Sequence, residues 1–255
     1  MSESRYVERQ SYLSELAHDT ELAFRETEGH LATEFGSETE WLRCVREDFP
    51  KFLPFLTQRC GLQFRGSLLE IGAGTCWFSA ELSKLPAVEK IVAMDFSPKL
   101  LQELAPKVFD MLGANAGKIT RMPGDFHKLD FPDNRFDFVV CSAVLHHAVD
   151  MVAVLREVKR VLRHAGQFVA IREPVQPLIQ FRKLSKTQSR LVEAGVNEHI
   201  YSLAEYLHFF DEAGLKVKAE RVNLARGPKY LFNKVVNGLT HARYAFIATK
   251  PNAST

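Results

Sequence analysis

Ser67-Leu68-Leu69-Glu70-Ile71-Gly72-Ala73-Gly74-Thr75-Cys76 carries an apolar run into an acid and then two glycines one residue apart. The amphipathic segment Trp77 to Leu85 follows. This order reads as a strand, a tight turn and a helix. The glycines let the backbone turn sharply and let a ligand approach the main chain. Working outward, Ile91-Val92-Ala93-Met94 is a second apolar run that ends at Asp95, twenty-three residues after Gly72. An acid at the tip of the second strand of a βαβ unit is placed to hydrogen-bond a ribose diol. Together these features point to an adenosine-containing ligand. A glycine turn in an α/β domain that holds no nucleotide is the alternative, because two glycines alone are weak evidence.

The spacing favours S-adenosylmethionine over a dinucleotide. A dinucleotide turn needs a third glycine for close helix–strand packing, and Trp77 stands at that position. Glu70 would repel a pyrophosphate, whereas it suits a ligand carrying a sulfonium and an ammonium.

Further segments continue the alternation. Lys118 to Met122 reads as a third strand, followed by Pro123-Gly124-Asp125-Phe126. Phe136 to Val144 reads as a fourth, ending at Leu145-His146-His147. A helix over Val152–Leu162 closes at His164-Ala165-Gly166, and Gln167 to Ile171 is a fifth strand. In this order the segments resemble the class I S-adenosylmethionine-dependent methyltransferases, and most nearly their type 11 branch of small-molecule and quinone-biosynthesis enzymes. The resemblance rests on Glu70 to Thr75, Met94-Asp95-Phe96-Ser97, Gly124-Asp125-Phe126, Phe136 to Val139, Leu145-His146-His147 and Leu155 to Gln167. It covers residues 66–174.

The resemblance implies a doubly wound, mostly parallel α/β sheet of seven strands in the order 3-2-1-4-5-7-6, its last strand antiparallel. It also implies the cofactor contacts. Glu70, Gly72, Ala73 and Gly74 would meet the methionine half, with Ser142 near the same end. Asp95 would bind the ribose and Phe96 would flank the adenine. Asp125 would accept from the adenine amino group, with Phe126 beside the ring.

Composition sets bounds. At 255 residues and 46% hydrophobic content, the chain suits one large α/β domain with an appendage. No apolar run approaches the roughly 18 residues of a membrane span, and no apolar signal region follows Met1. Cysteines 44, 60, 76 and 141 form no CxxC pair. Neither a metal site nor a disulfide framework is expected, and a cytoplasmic location is the natural reading. Residues 175–255 hold 12 basic against 6 acidic side chains. These are scattered without aromatic interleaving, so nucleic acid is not the expected partner.

Residues 1–65 read as a helical cap on a Rossmann-like methyltransferase domain at 66–255. Residues 4–30 have helical spacing, and Tyr6 or Tyr12 could close over the cofactor. Glu38 to Arg59 is a second helical stretch that Pro50 should kink or restart. Pro174 and Pro177 introduce an insertion at about 175–201. Ser202-Leu203-Ala204-Glu205 is a capping box that opens a helix to Ala213. Leu215 to Ala219 and Tyr244 to Ala248 are the last two strands.

Methyl transfer is an in-line displacement in which the enzyme chiefly aligns the nucleophile. A hydroxyl acceptor must also lose a proton, and His146 and His147, at the carboxyl edge of strand four, are the candidate bases. A carboxylate acceptor needs none. Arg172 could hold an acidic acceptor by a two-pronged hydrogen bond. Glu173, His199 and Tyr201 are further candidate acceptor contacts, although Tyr201 also suits a hydrophobic staple before the cap. The expected function is O-methylation of a hydroxyl or carboxylate on a small molecule, by a monomer or a homodimer. The alternatives are a non-catalytic cofactor- or partner-binding domain, and an RNA or protein methyltransferase. Against the last, strand four ends Cys141-Ser142-Ala143-Val144 rather than in an Asn-Pro-Pro-Tyr-type signature.

Overall fold

A computed structural model describes residues 3–9, positions 22, 23, 26 and 35, and residues 37–176, 199–225 and 244–252. Tyr12 and most of the 175–201 insertion lie outside these residues. Among them, eight strands form one sheet: β1 (Arg5–Tyr6), β2 (Gly66–Ile71), β3 (Val88–Asp95), β4 (Ile119–Pro123), β5 (Phe136–Ser142), β6 (Leu162–Glu173), β7 (Lys216–Arg221) and β8 (Tyr244–Thr249). Their order is β1-β4-β3-β2-β5-β6-β8-β7. β8 lies antiparallel between β6 and β7, and the pairs from β4 to β6 are parallel. From β4 to β7 this is the expected order 3-2-1-4-5-7-6.

β1 is the addition. The helix expected over residues 4–30 does not include Arg5 and Tyr6, which pair in parallel with Thr120 and Arg121. Edge strands leave backbone groups unpaired, and two residues satisfy part of that edge. The Arg121 guanidinium lies 5.9 Å from the centroid of the Tyr6 ring. Tyr6 therefore packs at the sheet edge rather than over a ligand.

Among the described residues the α-helices are α1 (Glu38–Arg43), α2 (Phe52–Pro54), α3 (Trp77–Ser83), α4 (Ala105–Leu112), α5 (Met151–Val161) and α6 (Leu203–Glu212). Pro50 lies in a tight 3-10 turn, Phe49–Lys51, between α1 and α2, which is the restart its missing N–H demands. Ser37 caps α1, Asp150 caps α5, and Ser202 with Glu205 forms the expected capping box on α6.

Strand alternation divides the core. Phe138, Val140, Val169, Ile171, Ala245 and Ile247 pack under the Trp41–Leu56 segment, α3 and α4. Val139, Cys141, Phe168, Ala170, Phe246 and Ala248 pack under α5 and α6. Both faces are covered, so the central strands read as continuous apolar runs.

Helix α5 stops at Val161, short of the His164–Gly166 terminus expected from the sequence. Leu162 has already turned extended, with ψ 140°. The Lys250 ammonium donates to the Leu162 carbonyl at 2.7 Å and to Asn134 at 2.8 Å. A register shift between Phe136 and Phe138 takes up the extra β6 residues.

At the same, amino edge, Gly66 has φ +68°, and a Cβ there would lie 2.3 Å from Asp137 Oδ2. That carboxylate accepts from Ser67 N at 2.8 Å and pairs with Arg163. Gly66→Ala is expected to cost about 2 kcal/mol through backbone strain and displacement of Asp137. Urea denaturation checks this, and an unchanged midpoint would contradict it.

Candidate functional site

The carboxyl ends of β2, β3, β5 and β6 meet at an open cleft. Gly72, Ala73, Gly74 and Thr75 form its floor, and Asp95, Phe96, Leu100 and Phe126 one side. Ser142, Ala143, Val144, His147 and Arg172 form the other side, and Phe35, Trp41, Phe49 and Trp77 complete the wall. Nine of the residues expected from the sequence stand on this wall: Gly72, Ala73, Gly74, Asp95, Phe96, Phe126, Ser142, His147 and Arg172.

The glycine turn is shaped by its neighbours. Gly72 has φ +57°, and a Cβ there would lie 2.5 Å from Val144. A Cβ on Gly74 would meet nothing within 4 Å, so space is left where a ligand can approach. The Asp95 carboxylate is 4% exposed. Its Oδ2 accepts from Gly74 N at 2.7 Å and its Oδ1 from Ser97 N at 2.9 Å. The acid at the tip of β3 thus fixes the floor of the cleft as well as its rim.

Glu70, Asp125, His146, Glu173, His199 and Tyr201 are not among the cleft-lining residues. Glu70 turns away, accepting from Ser79 N at 2.8 Å and from the Ser79 hydroxyl. Burial pushes its pKa up to about 8, so near neutrality it is mainly protonated and presents little charge. A protonated Glu70 repels a pyrophosphate no more than it attracts a sulfonium, so this side chain does not separate the two ligands by charge. Asp125 accepts from both His127 N at 2.9 Å and His127 Nδ1 at 2.7 Å. His127 Nε2 in turn accepts from Val149 N at 3.2 Å. These bonds make His127 the Nδ1–H tautomer and tie the segment after β4 to the turn before α5.

Glu173 faces inward rather than to the rim. It accepts from Val144 N at 2.9 Å, Leu145 N at 3.2 Å and His146 Nδ1 at 2.9 Å. The His147 ring packs 4.0 Å from the His146 ring. Of the two histidines, His147 therefore faces the cleft and His146 is held behind it. Tyr201 packs edge-on against Tyr206 and Phe209 at the start of α6, the staple arrangement. Burial raises the Tyr201 phenol, which makes it a poorer base near neutrality. His199 stacks on Tyr201, and its backbone N–H donates to the His146 carbonyl at 3.1 Å.

The Arg172 guanidinium lies 3.9 Å from the Phe49 ring centroid, a cation–π contact, and donates to Ser142 Oγ at 3.2 Å. Cys76, Ala143 and Arg172 all adopt left-handed backbone with φ near +60°. Such strain at three non-glycine positions clusters at the strand ends that build the cleft. Trp41 and Phe49 belong to the helical stretch read over Glu38 to Arg59, and helical spacing alone does not say whether such residues cap a ligand or pack on the sheet. Their place on the cleft wall depends on how the helix docks.

Residues 69–170 match the family model of the type 11 methyltransferase domain. A ubiquinone/menaquinone biosynthesis C-methyltransferase of Citrifermentans bemidjiense is 30% identical over 131 residues, 51% of this chain and 55% of that protein. The chain thus spans about half the length of the curated relatives it matches. Among solved structures, a putative methyltransferase of Bacillus halodurans superposes with a TM-score of 0.57 at 19% identity, covering 78% of this chain and 99% of that one. A phosphoethanolamine N-methyltransferase of Haemonchus contortus with S-adenosylhomocysteine gives 0.65 at 16%, covering 90% and 59%. These superpositions show a common fold.

Proposed function

We propose that this chain, whose residues 69–170 match the methyltransferase-domain family, is an S-adenosylmethionine-dependent methyltransferase of a small-molecule acceptor. The observation that carries this reading is the joining of the Gly72–Gly74 turn to the Asp95 carboxylate at the floor of one cleft. The residues fit the cofactor. The turn leaves open space at Gly74 for the methionine half, Asp95 stands at ribose reach, and Phe96 and Phe126 offer faces for an adenine. When bound, the cofactor supplies a methyl group already activated on a sulfonium.

The chain's own residues supply alignment and proton transfer. His147 on the cleft wall takes the acceptor's proton. Arg172, braced on Phe49, faces an acidic oxygen, and the Phe35, Trp41 and Trp77 rings favour an acceptor with apolar surface. An oxygen acceptor, hydroxyl or carboxylate, follows from this pairing of a base with a cation. Methylation at carbon is the second reading, favoured because the Citrifermentans relative is named a C-methyltransferase.

Calorimetric titration with S-adenosylmethionine and with NAD tests the cofactor, and tighter NAD binding would overturn it. Incubation with methyl-labelled cofactor and metabolite pools then tests the reaction. Alkali-labile label marks an ester, whereas label on ring carbon favours the second reading. Cofactor binding without transfer to any pool favours a non-catalytic domain. His147→Ala is expected to lower turnover ten-fold or more while S-adenosylmethionine affinity stays within two-fold. Unchanged turnover would show that no base from this turn is needed and favour a carboxylate acceptor.

A further inference from the structure

Glu173 is 1% exposed, at the end of β6. An unpaired carboxylate there would be costly, and an apolar side chain could fill the space. Its surroundings show what the carboxylate does instead. Oε1 accepts from Val144 N and Leu145 N, while Oε2 accepts from His146 N at 3.4 Å and His146 Nδ1 at 2.9 Å. Three successive backbone N–H groups and one imidazole thus converge on a single carboxylate. A carboxylate only accepts, so Nδ1 of His146 carries the proton.

Two strained positions bring the parts together. Ala143, at φ +58°, turns the chain out of β5, and its N–H donates to the Ile171 carbonyl at 2.9 Å. Arg172, at φ +63°, sits in a register irregularity of β6. Strict alternation fails there, and Arg172 reaches the cleft while its neighbour Glu173 enters the turn.

We propose that Glu173 is a positioning residue for the acceptor end of the cleft. It holds the Val144–His146 turn and fixes the His146 ring, and that ring braces His147 against the cleft wall. The same turn receives the His199 N–H through the His146 carbonyl, so one buried acid also anchors the end of the insertion. The assignment to an acceptor end rests on the methyl-transfer reading of His147. The hydrogen-bond geometry of Glu173 and His146 does not.

The test uses the full chain with ¹⁵N-labelled histidine, recorded by NMR with and without S-adenosylhomocysteine. Wild type is expected to show a protonated His146 Nδ1. In Glu173→Gln the side-chain amide brings one acceptor oxygen and a donating NH2, so it cannot receive all four donors. Amide exchange protection at Val144, Leu145 and His146 should fall at least ten-fold, the His147 ring signals should move, and S-adenosylhomocysteine affinity should stay within two-fold. His146→Ala leaves the backbone arm in place. It should keep the Val144 and Leu145 protection yet shift the His147 signals, and it carries the test if the Glu173 variant does not fold. An unprotonated Nδ1 in wild type, unchanged protection in Glu173→Gln, or unmoved His147 signals in His146→Ala would each overturn the proposal. Failure of the wild type to bind S-adenosylhomocysteine would overturn the methyl-transfer reading instead, and the ligand-free spectra tell the two failures apart.

Discussion

Asp95→Ala is expected to weaken S-adenosylmethionine binding on the order of a thousand-fold. The carboxylate holds Gly74 N and Ser97 N through its two oxygens, and in the proposed complex it also meets the ribose hydroxyls. Charge-assisted hydrogen bonds of this kind contribute about 1.5–3 kcal/mol each, so losing two amounts to roughly 3–6 kcal/mol. The loop amides would also lose their acceptor, leaving the floor of the cleft less ordered before any ligand arrives. Asp95→Asn keeps one acceptor oxygen and should fall between the two. Calorimetry on the three proteins checks this order. Undiminished affinity in Asp95→Ala would remove Asp95 from the site.

The second large effect concerns stability and pH. Burial raises the Glu70 pKa to about 8 in the folded chain, while an unfolded glutamate titrates near 4.3. Between these values the unfolded state releases a proton that the folded state keeps. Stability therefore falls as pH rises through this window, and the contribution present below about pH 4 is lost by about pH 8. Glu70→Gln removes that titration and keeps an oxygen facing Ser79. The variant should match wild type near pH 4 and exceed it at pH 8.5 by on the order of 5 kcal/mol. Denaturant melts of both proteins across this range isolate the difference, since the other groups titrate in both. Parallel pH profiles would show that Glu70 is ionised in the folded chain. A cationic ligand in the cleft favours the ionised form, so S-adenosylmethionine binding should release a fraction of a proton near neutrality. Calorimetry in buffers of different ionisation enthalpy would detect it.

The sheet was largely legible in the sequence because its signals are local. Apolar runs of strand length alternate with helical spacing, and Gly72, Gly74, Ser202 and Gly214 punctuate them. The two-residue β1 carries no periodicity at all, and its pairing with Thr120 and Arg121 is visible only in three dimensions. The cleft was legible where a residue type matches one task, as with Asp95 or Arg172. It was not legible where a side chain serves another side chain. Glu173 reads as a rim acid until Val144, Leu145 and His146 are seen to converge on it. Glu70 reads as a charge until its burial is known. Cys76, Ala143 and Arg172 occupy left-handed backbone without being glycine, and no spacing rule marks them.

The place of β8 has a consequence for how the chain is made. Tyr244–Thr249 inserts between β6 and β7, so the sheet cannot close until these residues have left the ribosome. By then the parallel strands from β2 to β6 can already have docked with α3, α4 and α5. Until β8 arrives, the edge of β6, bearing Phe168 and Ala170, is an unpaired apolar strand facing an empty slot. An open edge of that kind can recruit a strand from another molecule as readily as its own. Phe168 to Ile171 carry no charge, so no charged side chain of this stretch guards the edge before β8 pairs with it. Slow translation just before Tyr244 would lengthen the exposure of this edge.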